Sequence, residues 1–311
     1  MSVYDVNGNN ISNVYDSGGV KLLQAYDING RPLMRSHAVS NRYTRSLIFS
    51  NSSLDSGTQG IACDSITQKI AQLYTGKIYM FAIDGTPTQV ASVFNLGHGS
   101  AGQFAPTKIE SQVYPLLYVS SGGSGTVVGD LNYAILLEVQ CAENSSSMLR
   151  AFAVTEDEGY AGMFAIDFDN NIVYHVYREA YDSSTAELTY ISAWEFSTMQ
   201  KTTAITWNPR PANGVYILTN KLKSFTIPYV KKMQSVTFFD GLIVLLSDSG
   251  YVSFVDPVTE SVFLKLTSDM PAAEREGVGF ILNPSTQQYD MVISNRASGA
   301  MNFYRYEFDL S

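Results

Sequence analysis

Three histidines are the first residues in this chain with types that could do chemistry. His98 lies between Gly97 and Gly99, and flanking glycines let a backbone come close to a ligand. An imidazole there suits a hydrogen bond to a ligand or the transfer of a proton. Gln103 follows in the same segment, Gly97-His98-Gly99-Ser100-Ala101-Gly102-Gln103-Phe104, and joins it as a ligand-binding candidate. His175, inside Tyr174-His175-Val176-Tyr177, reads as an ordinary strand residue, and His37 falls in a linker. No His-x-x-x-His pair occurs, so the pattern of a zinc hydrolase is missing. Neither a metal nor a cofactor is expected.

Carboxylates are the second source of chemistry. Glu110, Glu156, Asp157, Glu158, Glu274 and Glu276 fall in candidate loops. Two of them held about 5–10 Å apart would suit glycosidic bond cleavage, but spacing along the chain does not show which converge. Asp167-Phe168-Asp169-Asn170-Asn171 lacks the glycine and distal glutamate of a calcium loop and reads as a hairpin turn. Leu246-Ser247-Asp248-Ser249-Gly250 carries part of the sialidase Asp-box, in one copy and without its serine or closing tryptophan. That box is a structural turn and does not bring catalysis with it. The chain has no Gly-x-Ser-x-Gly elbow, P-loop or dinucleotide fingerprint. Trp194 and Trp207, with Tyr114, Tyr160, Tyr181 and Tyr229, offer rings on which a sugar could stack. The ligand-binding set is therefore His98, Gln103, Trp194, Glu274 and Glu276, with no catalytic residue assigned.

Composition narrows the classes. The 311 residues carry 20 Lys+Arg against 29 Asp+Glu, a formal net charge of −9. That balance, without a basic block, argues against nucleic acid and against an anionic membrane surface as partners. A hydrophobic fraction of 45% supports a large core and excludes disorder. Charged residues are only 16% and aromatics 12%, with 20 Tyr, 16 Phe and 23 Gly, which is the profile of an all-β chain. Cys63 and Cys141 sit among apolar residues and read as buried free thiols, too few for a disulfide scaffold or a cysteine zinc site. The N-terminus lacks the basic and apolar regions of a signal peptide. The longest apolar runs, such as Leu242-Ile243-Val244-Leu245-Leu246, fall far short of a membrane span.

What positions these side chains is a series of short strands. Residues 235–266 hold four apolar or alternating runs separated by Asp240-Gly241, Asp248-Ser249-Gly250 and Asp256-Pro257. Four strands joined by tight antiparallel turns make one blade of a β-propeller. A second unit lies at 61–64, 69–74, 77–83 and 89–94, and a third at 102–104, 116–120, 133–140 and 148–154. Others begin at 163–168 and at 278–282. The expected fold is an all-β, five-bladed propeller over residues 37–311, with six blades if 202–229 forms its own. A strand at 45–50, or else one from the N-terminal segment, is expected to close the ring beside 303–308, removing an open sheet edge.

Residues 1–36 are organised differently. Tyr4-Asp5, Tyr15-Asp16 and Tyr26-Asp27 recur every 11 residues, followed by Gly8, Gly19 and Gly30 and by Ile11, Leu22 and Leu33. Such units are too short to bury a core alone and must order against a partner or each other. They are expected to be β-turn units that attach the chain to something else.

Two resemblances attach to these motifs. The repeated Tyr-Asp-x-x-Gly units resemble leaders of phage and prophage structural proteins from gut Firmicutes. In the body, Gln59-Gly60-Ile61-Ala62-Cys63-Asp64, the Gly97–Phe104 segment and Tyr114-Pro115-Leu116-Leu117-Tyr118-Val119-Ser120 resemble propeller proteins of gut bacteria and their prophages, a group without an assigned reaction. Ser100 and Ala101 stand where that group carries Asn or Asp beside the histidine. The resemblances imply a virion protein of fibre or decoration type, made in the bacterial cytoplasm and present as a homo-oligomer. Residues 1–36 would contact other virion proteins, and the propeller would bind a host-surface glycan or protein. The rivals are a propeller glycoside hydrolase and a purely architectural propeller.

Overall fold

The computed structural model describes residues 39–309 except 55–57, 75–76, 93–95, 97–98, 122–125, 129–130, 143–144, 157–159, 179–183, 208–209, 268, 270–273 and 298. Before residue 39 it describes only the backbone of four short strands. Val3–Tyr4 pairs with Asn10–Ile11, and Gln24–Tyr26 with Pro32–Arg35, both antiparallel. Of the attachment candidates, Tyr4 and Tyr26 lie in these strands, while Asp5, Tyr15, Asp16 and Asp27 lie outside the described residues.

The body is all-β and forms five blades, with no helix among the described residues. None of its elements is therefore a helix long and apolar enough to cross a membrane. Blade one is Thr58–Asp64, Lys69–Tyr74, Lys77–Ala82 and Pro87–Ser92. Blade two is Ala101–Phe104, Leu117–Ser120, Leu131–Ala142 and Ser145–Glu156. Blade three is Tyr160–Asp167, Ile172–Arg178, Leu188–Glu195 and Lys221–Pro228. Blade four is Met233–Phe239, Leu242–Ser247, Tyr251–Asp256 and Ser261–Thr267. Blade five is Glu274–Asn283, Gln288–Ala297 and Ala300–Phe308, completed on its outside by Tyr43–Asn51.

That last pairing closes the ring with strands from both ends of the body, as the sequence leads one to expect. The stretch 202–229 does not form a sixth blade. Lys221–Pro228 is the outer strand of blade three. Val215–Leu218 pairs with Met199–Thr202 and lies parallel to Ser145–Glu156, so this hairpin extends the edge of blade two.

The core lies between blades rather than within them. Along Leu242–Ser247, Val244 packs with Val278 and Ile293 of blade five, while Ile243 and Leu245 pack with Ala165 and Val176 of blade three. Both faces are buried, which is why the run is continuously apolar. Corresponding clusters join blades one and two, two and three, and five and one. At the axis the inner strands pack almost backbone to backbone. A Cβ on Gly60 would stand 2.4 Å from the Ser100 carbonyl oxygen.

Candidate functional site

The C-terminal ends of the inner strands meet around one axial depression. Asp64 ends the first strand and folds the chain back: its carboxylate accepts the Ile66 N–H at 2.9 Å and the Thr67 hydroxyl. Asp167 does the same in blade three, accepting the Asn170 N–H at 3.1 Å and the Asn170 side-chain amide at 2.8 Å. Asn283 accepts the Ser285 N–H at 3.0 Å in blade five. Gln68, Asn171 and Gln287 then take φ values of 55°, 56° and 57°, so each hairpin uses a side-chain-capped turn with a left-handed residue. The Asp167–Asn171 segment is thus a hairpin turn.

The depression has two contiguous lobes of about 330 and 380 Å³ that share Gln103, Pro106, Phe238, Phe239 and Tyr289. Asp64, Gly102, Thr237 and Gly279 line one, and Asp167, Asp169, Asn170 and Asp240 the other. Its aromatic wall is built by stacking. Phe239 lies on Phe280 with centroids 3.9 Å apart and planes 3° apart, and Tyr289 meets Phe239 edge-on at 5.1 Å. Phe238 is backed by Tyr174 at 5.6 Å. Tyr289 remains 39% exposed. Thr237 is 4% exposed and lines the first lobe. Lys, Arg and His are absent from the lining among the described residues. The bowl therefore offers apolar ring faces beside oxygen acceptors, a combination that binds polyhydroxylated rings.

Gln103 reaches this bowl, and its amide is also a structural clasp. Its Nε2 donates to the Ile166 carbonyl at 2.7 Å, and its Oε1 accepts the Ile166 N–H at 3.0 Å. The other candidates lie elsewhere. His98 is outside the described residues. Trp194 is 7% exposed between blades two and three, donating to Ser192 Oγ at 2.9 Å with Lys221 Nζ 5.6 Å from its ring centroid. It is a core side chain. Trp207 is partly buried against the blade one–two core, and Tyr114 is buried within it. His175 is fully buried and stacks between Phe164 and Tyr177.

Glu274 and Glu276 occupy the other end of the blade-five inner strand, before Gly277, and do not meet Gln103. Glu274 pairs with Arg296. Glu276 is the extra residue of a β-bulge between Arg275 and Gly277 and is 1% exposed. Arg296 Nη2 stands 3.5 Å from its Oε1, yet that oxygen makes no hydrogen bond. Burial, reinforced by the Asp248 charge, pushes the Glu276 carboxyl up to about 8. The unfavourable burial outweighs the loosely placed arginine, whose hydrogen bond goes to Glu274. Inner strands of blades one, three and four carry register shifts at the same end.

A more open groove of about 600 Å³ lies on the outside of blade two, between Ile109, Arg150, Lys201 and Tyr216. Its buried Glu138 is already held by Arg150 and by the Tyr118 hydroxyl at 2.8 Å, leaving little unsatisfied chemistry. Among the described residues no group of three or more His, Cys, Asp or Glu is placed to hold a metal ion.

Several bowl residues, including Asp64, Thr237, Phe238, Phe239 and Tyr289, were not singled out in the sequence. The available signal was a recurring turn: Asp64-x-x-Thr67-Gln68, Asp167-x-x-Asn170-Asn171 and Asn283-x-x-Thr286-Gln287 mark three inner-strand ends. The aromatic pair Phe238-Phe239 immediately before the Asp240-Gly241 turn marks a fourth.

No protein-family model matches the chain, and no curated protein is similar to it in sequence. Among solved structures, it is similar to glutaminyl cyclase of Myxococcus xanthus at 11% identity and a TM-score of 0.48, covering 86% of this chain and 97% of that one. It is similar to the tail fibre of Staphylococcus aureus phage P68 at 13% identity and a TM-score of 0.47, covering 86% of this chain and 53% of that one. A chain of a nidogen/laminin complex is similar at 12% identity and a TM-score of 0.40, covering 71% and 67% respectively. These are likenesses of fold between dissimilar sequences.

Proposed function

We propose that this chain is a non-enzymatic glycan-binding propeller of a phage or prophage virion. Residues 1–36 attach it to other virion proteins, and the axial bowl reads a glycan on the host surface. One observation carries the binding role: ring faces at Phe238 and Tyr289 stand beside the Asp169 carboxylate and the polar rim of Asp64, Asp167, Asn170 and Thr237. A sugar ring laid on the aromatic wall presents its C–H face to the rings and its hydroxyls to the oxygens. Affinity then grows by repetition, because several propellers on one particle raise the effective concentration of each.

Binding is favoured over cleavage by what the carboxylates already do. Glycoside hydrolysis needs one carboxyl free to give a proton and a second to act as base or nucleophile. Asp64 and Asp167 each commit both oxygens to their own turns. A glycan array probed with the full-length chain tests the reading. Binding to bacterial surface polysaccharides without release of shortened products is expected. Cleavage, or an array without signal, contradicts it. Attachment is tested separately: a chain lacking residues 1–36 is expected to fold and to be missing from particles.

A further inference from the structure

We infer that the axial end opposite the bowl holds a second binding site, at the seam of blades four and five, which takes a small neutral ligand through an amide group. It goes beyond the glycan-binding reading and uses none of the bowl residues.

Phe239 and Phe280 fix how the inner strands of blades four and five face each other, with ring centroids 3.9 Å apart. Side chains alternate along a strand. Two residues earlier on each strand, Thr237 therefore stands level with Val278, and two earlier again Ser235 stands level with Glu276. Ser235 pairs in register with Leu246, which packs in the same seam. Asn295 lies two residues beyond Ile293 of that seam and pairs with Arg275. Arg275 crosses to blade four at this level: its backbone N–H donates to Asp248 Oδ1 at 3.1 Å, and its Nη1 donates to the Asp248 carbonyl at 2.9 Å. Ser235, Glu276 and Asn295 thus form one layer, just beyond the apolar cluster of Val244, Leu246, Val278 and Ile293.

All three side chains are 1% exposed or less. Four of their polar atoms, Ser235 Oγ, Glu276 Oε1, Asn295 Nδ2 and Asn295 Oδ1, have no hydrogen-bond partner among the described residues. Buried polar groups are almost always bonded. Four without a partner in a single layer mark a place where a bound group completes the bonding. A separate feature points the same way. Glu276 reaches the seam through a β-bulge, a device that re-aims a side chain and is common beside functional sites.

Charge narrows the ligand. An anion would meet the Asp248 carboxylate, whose charge already reaches Glu276. A cation would meet the guanidinium groups of Arg275 and Arg296, the latter 3.5 Å from Glu276 Oε1. Burial also keeps the Glu276 carboxyl protonated at neutral pH, so the layer is lined by neutral groups. Asn295 presents a donor and an acceptor side by side in one plane, and a protonated carboxyl does the same. An amide is the complement of that pair: its N–H donates to Asn295 Oδ1 while its carbonyl accepts from Asn295 Nδ2. A hydroxyl carries donor and acceptor on one atom and meets one side of the pair at a time.

The test titrates the full-length chain with N-acetylglycine amide, which has no sugar ring to stack in the bowl, and with N-acetylglucosamine, read by saturation-transfer NMR. Glucose and glucosamine are the amide-free controls. At least one amide ligand is expected to bind with a Kd on the order of 1 mM. Asn295→Leu should weaken that binding about tenfold. Ser235→Ala removes a single atom and should weaken it about threefold at an unchanged unfolding midpoint, which separates a lost contact from a lost fold. Glu276→Gln keeps a donor and an acceptor and should keep the binding. Any affinity for glucose or glucosamine should be the same in parent and variants. A response from N-acetylglycine amide alone supports the site with a peptide-like source of the amide, and a response from N-acetylglucosamine alone supports it with an acetylated sugar as the source. Binding of neither amide overturns the inference. So does amide binding that folded Asn295→Leu or Ser235→Ala leaves intact, or a parallel loss of glucose binding in those variants.

Discussion

The Gln103 side chain pairs with Ile166 as another strand would, donating to its carbonyl at 2.7 Å and accepting its N–H at 3.0 Å. One amide thereby fastens the inner strands of blades two and three at the rim of the bowl. Gln103→Leu keeps the volume but strands the Ile166 N–H and carbonyl, at about 1–3 kcal/mol. Urea unfolding should show that loss, and glycan affinity should fall with it. An unchanged unfolding midpoint would mean that other strand contacts hold the rim.

Gly277 sets how closely blades one and five approach. A Cβ there would stand 2.5 Å from the Ile61 backbone nitrogen, and backbone cannot rotate aside. Gly277→Ala is expected to cost about 2–3 kcal/mol, the range for overpacking a close-fitted core. A thermal melt within a degree of the parent protein would refute the close contact.

Ring closure rests on the strand Tyr43–Asn51. Phe49 on that strand stacks on Phe303 at 4.2 Å and lies 5.2 Å from Phe81 of blade one, so a single side chain ties the closing strand to both blades. Phe49→Ala should lower stability by about 2 kcal/mol, below the full cost of a core phenylalanine because the ring is half-buried. Increased proteolysis should begin within this strand.

Glu276 gives stability a pH dependence of definite sign. Its carboxyl is raised from an ordinary 4.5 to about 8 in the folded chain by burial and by Asp248. Between those values the folded chain keeps a proton that the unfolded chain has released. Stability from this group is therefore complete below about pH 4.5 and falls as pH rises to about 8, by at most about 1.4 kcal/mol per pH unit. Glu276→Gln should flatten the curve and exceed the parent protein in stability at about pH 8. Identical slopes for the two proteins would show that the carboxyl is charged throughout.

How much of this was legible depended on whether a feature was local. Blade four could be read from the chain because its turns announce themselves at Asp240-Gly241, Ser249-Gly250 and Asp256-Pro257. Ring closure followed from a spare strand at one end of the body and an unpaired edge at the other. The hairpin of Met199–Thr202 and Val215–Leu218 was not legible, because its parallel docking on blade two leaves no local pattern. Lys221–Pro228 likewise returns to blade three only after that excursion.

The site was less legible than the fold, for a related reason. Asp64, Asp167, Phe238 and Tyr289 become neighbours only when the ring closes. Gln103 was found through its segment, although not for its clasp on Ile166. Glu274 and Glu276 looked like loop carboxylates and instead belong to the bulged start of an inner strand. Trp194 looked like a sugar platform because tryptophan types serve there, yet alternation along Leu188–Glu195 turns it into the blade two–three core.

The most direct measurement is glycan binding by Tyr289→Ala beside the parent chain, with unfolding midpoints recorded for both. Tyr289 is 39% exposed on the rim of the bowl and touches Phe239 only edge-on, so its removal should leave the fold intact. The expected result is loss of most glycan affinity at an unchanged midpoint. Undiminished binding by the folded Tyr289→Ala chain would contradict the assignment of the axial bowl as the site.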